Sequence, residues 1–336
     1  MGLIDRILYV ANLVAAVLLL LSFIAPYVPP ENFSLLSAVS LITSPLLVIN
    51  LLFVVYWLVR LKKRIWLSSV LLVVAYFHFN GFWRLGGGEA DASGEQLKIM
   101  SFNVQLFEAY EEEPNPDVND NLKAFIGQHD PDVFLVQEYY DLEMDAFESF
   151  PYRFIHFKEN HKLGHAIFSK YPLENKGAFD FTSTTNNSIY ADVILPKGPV
   201  RVYNLHLQSF RITPSVAALQ DRPGKQIRNR ISKAFKLQQQ QITAILDHSE
   251  STGLPIILGG DLNNTAFSYV YRKIAQRFQD GFKEAGSGIG STFTFDFYPV
   301  RIDYIFSDPS FKVLSFETLE NPFADHKPVS ATLSLE

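Results

Sequence analysis

Apolar residues fill most of the first 85 positions; from Leu97 onward they come in short runs broken by polar residues. The first part holds three long apolar stretches. Ile7–Val28 is interrupted by Asn12, Ser22 and Pro26, Leu35–Val59 by a few Ser/Thr residues, Pro45 and Asn50, and Ile65–Leu85 ends in Tyr76, Phe77, Phe79, Phe82 and Trp83. Each approaches or exceeds the roughly 20 residues that cross a bilayer core, and terminal aromatics suit its interface. The pattern predicts three transmembrane helices within residues 1–85. The first stretch lacks a strongly basic start and an A-x-A-like site, which argues against a cleaved leader.

Residues 86–96, GGGEADASGEQ, read as a flexible linker. Beyond it, apolar runs of strand length alternate with helix-like periodicity. Strands are predicted at Leu97–Val104, Val133–Gln137, Arg153–Phe157, Ala166–Ser169, Ser188–Leu195, Val200–His206, Ile256–Gly260, Ile302–Phe306, Phe311–Phe316 and Pro328–Leu335. Helices are predicted at Val118–Gln128, Asp141–Phe147, Gln226–His248 and Phe267–Arg277. Many strands with interspersed helices predict one α/β or α+β domain over 97–336.

Charge refines this division. Residues 1–88 carry six Lys/Arg against Asp5 and Glu31, a net +4, while the remainder carries 23 basic and 33 acidic residues, a net −10. So acidic a domain is poorly suited to a general clamp on a nucleic-acid backbone. Arg60, Lys62, Lys63 and Arg64 lie between the second and third stretches, and Val28–Ser34 has no Lys or Arg. Basic loops stay cytoplasmic, so an odd number of crossings places the large domain outside the cytoplasm. The chain has no cysteine, which removes disulfides and thiolate chemistry.

Polar residues recur where the predicted strands end. In Pro255-Ile256-Ile257-Leu258-Gly259-Gly260-Asp261-Leu262-Asn263, alternation puts Asp261 and Asn263 on one side if extension continues. Asp and Asn after Gly-Gly are equally ordinary turn chemistry. Asn103 follows Ile99-Met100-Ser101-Phe102, and Gln137-Glu138 follows Val133-Phe134-Leu135-Val136. Asn204 and His206 share a strand face with Val202, Asp303 lies inside the apolar Arg301–Phe306, and Asp325-His326 precedes the last strand. Each has a structural reading as turn former, helix cap or hydrogen-bonded core residue. Together they suit Mg²⁺-dependent attack of water on a phosphate ester. A hard cation takes oxygen ligands and neutralises phosphoryl charge, a His beside a carboxylate is held in one tautomer, and amide and imidazolium donors meet growing oxyanion charge.

Ser101-Phe102-Asn103, Gln137-Glu138, Gly164–Pro172 (GHAIFSKYP), Asn204-Leu205-His206-Leu207, Gly260-Asp261-Leu262-Asn263, Arg301–Ile305 (RIDYI) and Ala324-Asp325-His326 occur in an order that closely resembles the endonuclease/exonuclease/phosphatase superfamily, the DNase I-like group. The resemblance covers about 97–336 and implies a four-layer α/β sandwich, two packed sheets flanked by helices, with the site at one rim. It implies Glu138 as principal Mg²⁺ ligand (Mn²⁺ as the substitute), assisted by Asn103, with Asp325 aiding the metal or the network. Asp261 would orient and deprotonate the attacking water, and Asn263 would hold the phosphate. His326, oriented by Asp303, and His206 would contact the phosphate, with Asn204 beside them for substrate binding. The expected activity is a membrane-anchored phosphodiesterase acting on a lipid headgroup or small phosphorylated molecule. An extracytoplasmic nuclease on DNA or RNA is the alternative, and a non-catalytic binding protein the third reading. Arg222, Lys225, Arg228, Arg230, Lys233 and Lys236 form a cationic segment that is either a solvated helix face or a surface for anionic groups.

Overall fold

The computed structural model describes residues 2–79, 83–84, 86, 94–108, 116–142, 144–158, 163–212, 215, 220, 223–321 and 324–335. Phe82, Leu85, Asp221, Arg222 and most of the linker lie outside them. The N-terminal part is a helical bundle: α1 (Leu3–Ile24), α2 (Pro30–Ser37), α3 (Thr43–Val59) and α4 (Ile65–His78). Its outer faces are apolar, and polar residues are set into an otherwise apolar interior. Leu13, Val17, Leu51, Leu52, Val55 and Val73 face outward, whereas Asn12, Asn50 and Ser68 are fully buried. Asn12 Nδ2 donates to Ser68 Oγ at 2.7 Å, and Ser68 Oγ donates to Asn50 Oδ1 at 2.9 Å. This chain of bonds joins α1, α4 and α3, the kind of polar contact that holds helices together where apolar burial supplies little drive.

Two stretches among the described residues, Leu3–Tyr27 and Pro30–Val59, are long and apolar enough to cross a membrane by length and composition. The third falls short of expectation. Helix α4 has 14 residues, about 21 Å at 1.5 Å per residue.

The rest is a sandwich of two six-stranded mixed sheets. Its strands are β1 (Gln96–Asn103), β2 (Val133–Tyr140), β3 (Tyr152–Phe157), β4 (Leu163–Ser169), β5 (Leu173–Phe179), β6 (Ser188–Leu195), β7 (Gly198–His206), β8 (Ile256–Asp261), β9 (Gln279–Asp280), β10 (Phe293–Phe295), β11 (Tyr298–Val300), β12 (Asp303–Ser307), β13 (Phe311–Thr318) and β14 (Val329–Leu335). One sheet runs β13-β14-β1-β2-β4-β3, the other β5-β6-β7-β8-β12-β9, and β10-β11 form a separate hairpin. Leu97, Ile99, Val133, Leu135, Val200, Val202, Ile257 and Ile305 fill the space between the sheets. Their alternate neighbours face outward: Met100, Phe102 and Phe134 under α5 (Val118–His129), and Tyr203, Leu258 and Phe306 under α6 (Gly224–Glu250) and α7 (Tyr269–Ala275). The expected four layers are present.

The predicted strands all form, with ends shifted by a few residues. Strand β5 was not predicted because LENKGAF is a polar edge strand with no apolar run. The helix expected at Asp141–Phe147 is instead a turn over 145–149. Asn119 and Lys123 of α5 bind the Asp145 carboxylate at 2.7 and 2.6 Å, and Asn119 Oδ1 accepts from the Ala146 N–H, so tertiary partners replace an intrahelical ladder.

Candidate active site

Strand alternation assembles the site. Asn103, Gln137, Asn204, His206, Asp261 and Asp303 continue the inward-facing series of β1, β2, β7, β8 and β12, where the chain turns from apolar to polar at one rim. Asp261 lies opposite His206 on the parallel side and opposite Asp303 on the antiparallel side.

Glu138 breaks this rule. Simple alternation would send it outward with Phe134 and Val136. The β2–β4 register shifts between Val136 and Tyr139, and Glu138 takes the left-handed conformation at φ 52°. This bulge turns its carboxylate toward the rim, a use to which bulges beside active sites are often put. Gly260 is required for a related reason. Its φ is 140°, and a Cβ there would meet Leu205 O at 2.0 Å, so the β7–β8 approach beneath Asp261 admits only glycine.

The polar groups converge. Asn103 Nδ2 lies 3.4 Å from Glu138 Oε1 and donates to Asp261 Oδ2 at 3.3 Å. Asn263, at φ 48°, donates to Asp261 from its backbone (2.6 Å) and its amide (3.0 Å). His326 Nδ1 donates to both Asp303 oxygens at 3.1 and 3.0 Å, and its Nε2 is 3.9 Å from Asp261 Oδ2. His206 Nε2 is 3.6 Å from Glu138 Oε1 and 3.8 Å from Asp261 Oδ2.

The two histidines differ in charge. Burial works against a charged His326, but Asp303 and Asp261 outweigh it and raise the imidazole to about 10. Burial, reinforced by His326, depresses His206 to about 3, so that ring is neutral. Burial and then Asp303 raise Asp261, and burial raises Glu138 against the pull of His326. The pocket therefore holds more carboxylate than one imidazolium offsets, a deficit suited to a divalent cation. Asp261, Asp303 and His326 bring potential ligand atoms within 4.8 Å of one another. A protonated His326 has no lone pair to offer, however, so the fitting donors are the oxygens of Glu138 and Asp261; Asn103 turns its amide Nδ2 toward both and its carbonyl toward the Gln105 N–H.

Two expected residues stand apart from this cluster. Asn204 is fully buried; it accepts from Gln137 and donates to Val136 O and Ala166 O, clamping one sheet to the other. Asp325 sits exposed at the mouth, with its backbone N–H donating to Gln105 Oε1. Desolvation raises its carboxyl against the pull of His326, and Glu138 adds to the rise.

Several supports were not legible in the sequence. The Asn186 amide donates to His206 Nε2 at 2.9 Å, and Thr292 Oγ1 accepts the backbone N–H groups of Ile302 and Asp303. Phe293 of the β10–β11 hairpin packs against the His326 ring at 4.8 Å. Gln238, in a glutamine run with no evident role in the sequence, donates to Asn263 O and accepts from Asn264 Nδ2, fixing the loop after Asp261. Only a polar residue buried on a helix would have hinted at it.

This fold and rim define a DNase I-like α/β sandwich. A family model described as the endonuclease/exonuclease/phosphatase family matches residues 100–326, and the chain belongs to that family. A second, described as a domain of unknown function, matches residues 5–82. No curated protein matches significantly. Similar solved structures include an endonuclease/exonuclease/phosphatase from Bacteroides vulgatus (18% identity, 72% of this chain and 100% of that one, TM-score 0.54). Truncated TDP2 of Caenorhabditis elegans is similar at 17% identity, over 73% and 100% of the two chains, with TM-score 0.54. The human Nocturnin catalytic domain with bound sulfate is 17% identical over 72% and 95%, with TM-score 0.53. At these identities the likeness carries the fold.

Proposed function

We propose that this chain is a membrane-anchored, Mg²⁺-dependent phosphodiesterase, residues 97–336 forming the catalytic unit and 1–85 the anchor, with 86–96 between them. The observation that carries the reading is the convergence of Glu138, Asn103, Asp261, His206 and the Asp303–His326 pair at one rim of a sandwich belonging to this family. Glu138, with Asp261 beside it, would hold the cation, assisted by Asn103 once its amide turns over to present the carbonyl now held by the Gln105 N–H. Bound there, Mg²⁺ supplies charge neutralisation to the phosphoryl oxygens.

The chain's own groups do the remainder. Asp261, pinned by Asn263, orients the attacking water and takes its proton. The raised affinity of Asp261 for a proton suits that task. Asp303 fixes His326 so that Nε2–H points toward Asp261, where a phosphate oxygen would lie, and the charged ring stabilises the negative charge that grows there. Neutral His206 completes the wall as a polar contact. Asp325, at the mouth, tunes the field at Glu138. The reaction is in-line displacement by water without a covalent enzyme intermediate.

The domain lies outside the cytoplasm in this reading. Arg60 pairs with Asp5 at 3.3 Å, so the basic turn and the start of α1 share the bundle end remote from the sandwich. Basic turns stay inside. The test is a panel of phospholipids, inositol phosphates, a soluble aryl phosphodiester and plasmid DNA, with full-length protein in detergent, Mg²⁺ or Mn²⁺, and Asp261→Ala as blank. Turnover of a phosphodiester that the blank lacks supports the reading; no turnover across the panel ends it.

A further inference from the structure

The bundle does not merely precede the sandwich; it packs on the active-site rim. The segment joining α1 to α3 touches the loops around the site. Thr265 Oγ1, two residues beyond Asn263, donates to Ser40 O at 3.0 Å. Tyr298 of the β10–β11 hairpin lies beside Ser44 at the start of α3. Arg272 stacks over Tyr27 at 4.0 Å, and Phe79, just after α4, packs on Phe267 at 4.7 Å. Glu31 N–H donates to Gln239 Oε1 (3.0 Å), and Ser34 bonds Ser232 (2.6 Å), both on α6. All these contacts lie at the bundle end opposite the basic turn.

Two further features flank this seam. The first is Phe297, at the tip of the hairpin whose Phe293 covers His326. It is 89% exposed, the highest value for a large hydrophobic among the described residues. The second is the start of α6, where Lys225, Arg228, Lys233 and Lys236 are exposed. At 100° per residue Lys225, Arg228 and Lys236 lie within about 40° of Ser232, which binds the inter-span segment, and Lys233 about 100° to one side. An exposed aromatic and a cationic stripe beside the exit points of membrane helices match the apolar boundary and the anionic headgroups of a bilayer surface.

We propose that the anchor holds the active-site rim against the bilayer, with Phe297 at the interface and the α6 stripe on anionic headgroups, so that the substrate is the phosphodiester headgroup of a lipid in the same membrane. This rests on the hydrolytic reading above. Water cleaves one ester bond of the headgroup phosphate, giving an alcohol and a phosphomonoester, and no further reactant is required.

The test uses the full-length chain in vesicles of phosphatidylethanolamine and phosphatidylglycerol with Mg²⁺. Since the chain has no cysteine, Phe297→Cys and Ser310→Cys each accept a single fluorophore. Ser310 follows β12 at the end away from Asp303. Doxyl-labelled lipid is expected to quench the probe at 297 and spare that at 310. Phosphatidylglycerol turnover is expected to fall about tenfold in Phe297→Asp, the scale of one aromatic lost from an apolar interface. It is expected to fall also in the Lys225→Glu/Lys236→Glu double variant, while hydrolysis of soluble bis(4-nitrophenyl) phosphate is retained by both. An unquenched 297 probe, or turnover of the soluble ester or of DNA without turnover of either lipid, overturns this inference and leaves the hydrolytic reading standing. Absence of all phosphodiester turnover overturns both, and quenching still reports the orientation.

Discussion

Asp261 and Asp303 face each other directly across adjacent antiparallel strands, with the His326 imidazole between them, 3.0 Å from Asp303 and 3.9 Å from Asp261. Like charges at opposed positions destabilise a sheet. Here the two carboxylates hold a protonated histidine inside the protein, and burial, then Asp303, raises the proton affinity of Asp261.

Asp303→Asn removes the charge and keeps the shape. His326 is then expected to titrate far below about 10, and turnover to fall by roughly 10²- to 10⁴-fold, the range for loss of a positioned acid–base group. The linkage has a definite sign. Because folding raises the His326 pKa from its ordinary 6.5, the stabilisation is complete below that value and is lost as pH rises through about 10. Unfolding measured from pH 6 to pH 10 is expected to lose that slope in Asp303→Asn, with NMR of the imidazole as the direct check.

Glu138→Gln keeps the bulge and its hydrogen bond from Asn103 but removes the carboxylate charge proposed to bind the cation. Mg²⁺ added to the wild-type protein is expected to raise its melting temperature, since a ion bound only by the folded state stabilises it by mass action. The variant is expected to show little such shift and to need far more Mg²⁺ for activity. Equal Mg²⁺ responses in the two proteins would exclude Glu138 as a ligand.

Asn204→Ala discriminates a structural clamp from a substrate contact. Removing it takes a donor from the Val136 and Ala166 carbonyls, a cost of about 1–3 kcal/mol per buried group left unpaired, while Gln137 keeps Ser101 Oγ and Leu135 O. Thermal stability is expected to drop with KM unchanged. A raised KM in a protein of normal stability would return Asn204 to the binding site.

Gly260→Ala places a methyl group 2.0 Å from Leu205 O and forces a non-glycine residue to φ 140°. Such a conformation alone costs on the order of 1–3 kcal/mol, and the backbone clash adds to it. The variant is expected to be strongly destabilised, read by denaturant unfolding. Gly224→Ala, where no atom lies within 4 Å of the added carbon, is the neutral comparison.

The amino-acid sequence by itself determined the division into an apolar N-terminal part and an acidic α/β part, ten of the fourteen strands among the described residues, and the end of the inward-facing ones at which polar chemistry collects. It did so because strand side chains alternate with period two: Val200, Val202, Asn204 and His206 must share a face, as must Ile257, Gly259 and Asp261. Periodicity could not foresee Glu138, whose direction depends on a bulge defined against β4. Nor could it separate Asn204 from His206, two neighbours on one face, because a step of two residues along β7 carries the chain from sealed core to open rim. The charge states of His206 and His326 were likewise undetermined, since each follows from which carboxylates and amides arrive from distant segments. Only the tertiary structure brought the inter-span segment onto the rim, because that contact is made by single serines, threonines and aromatics spaced some 200 residues apart, which no local pattern can pair.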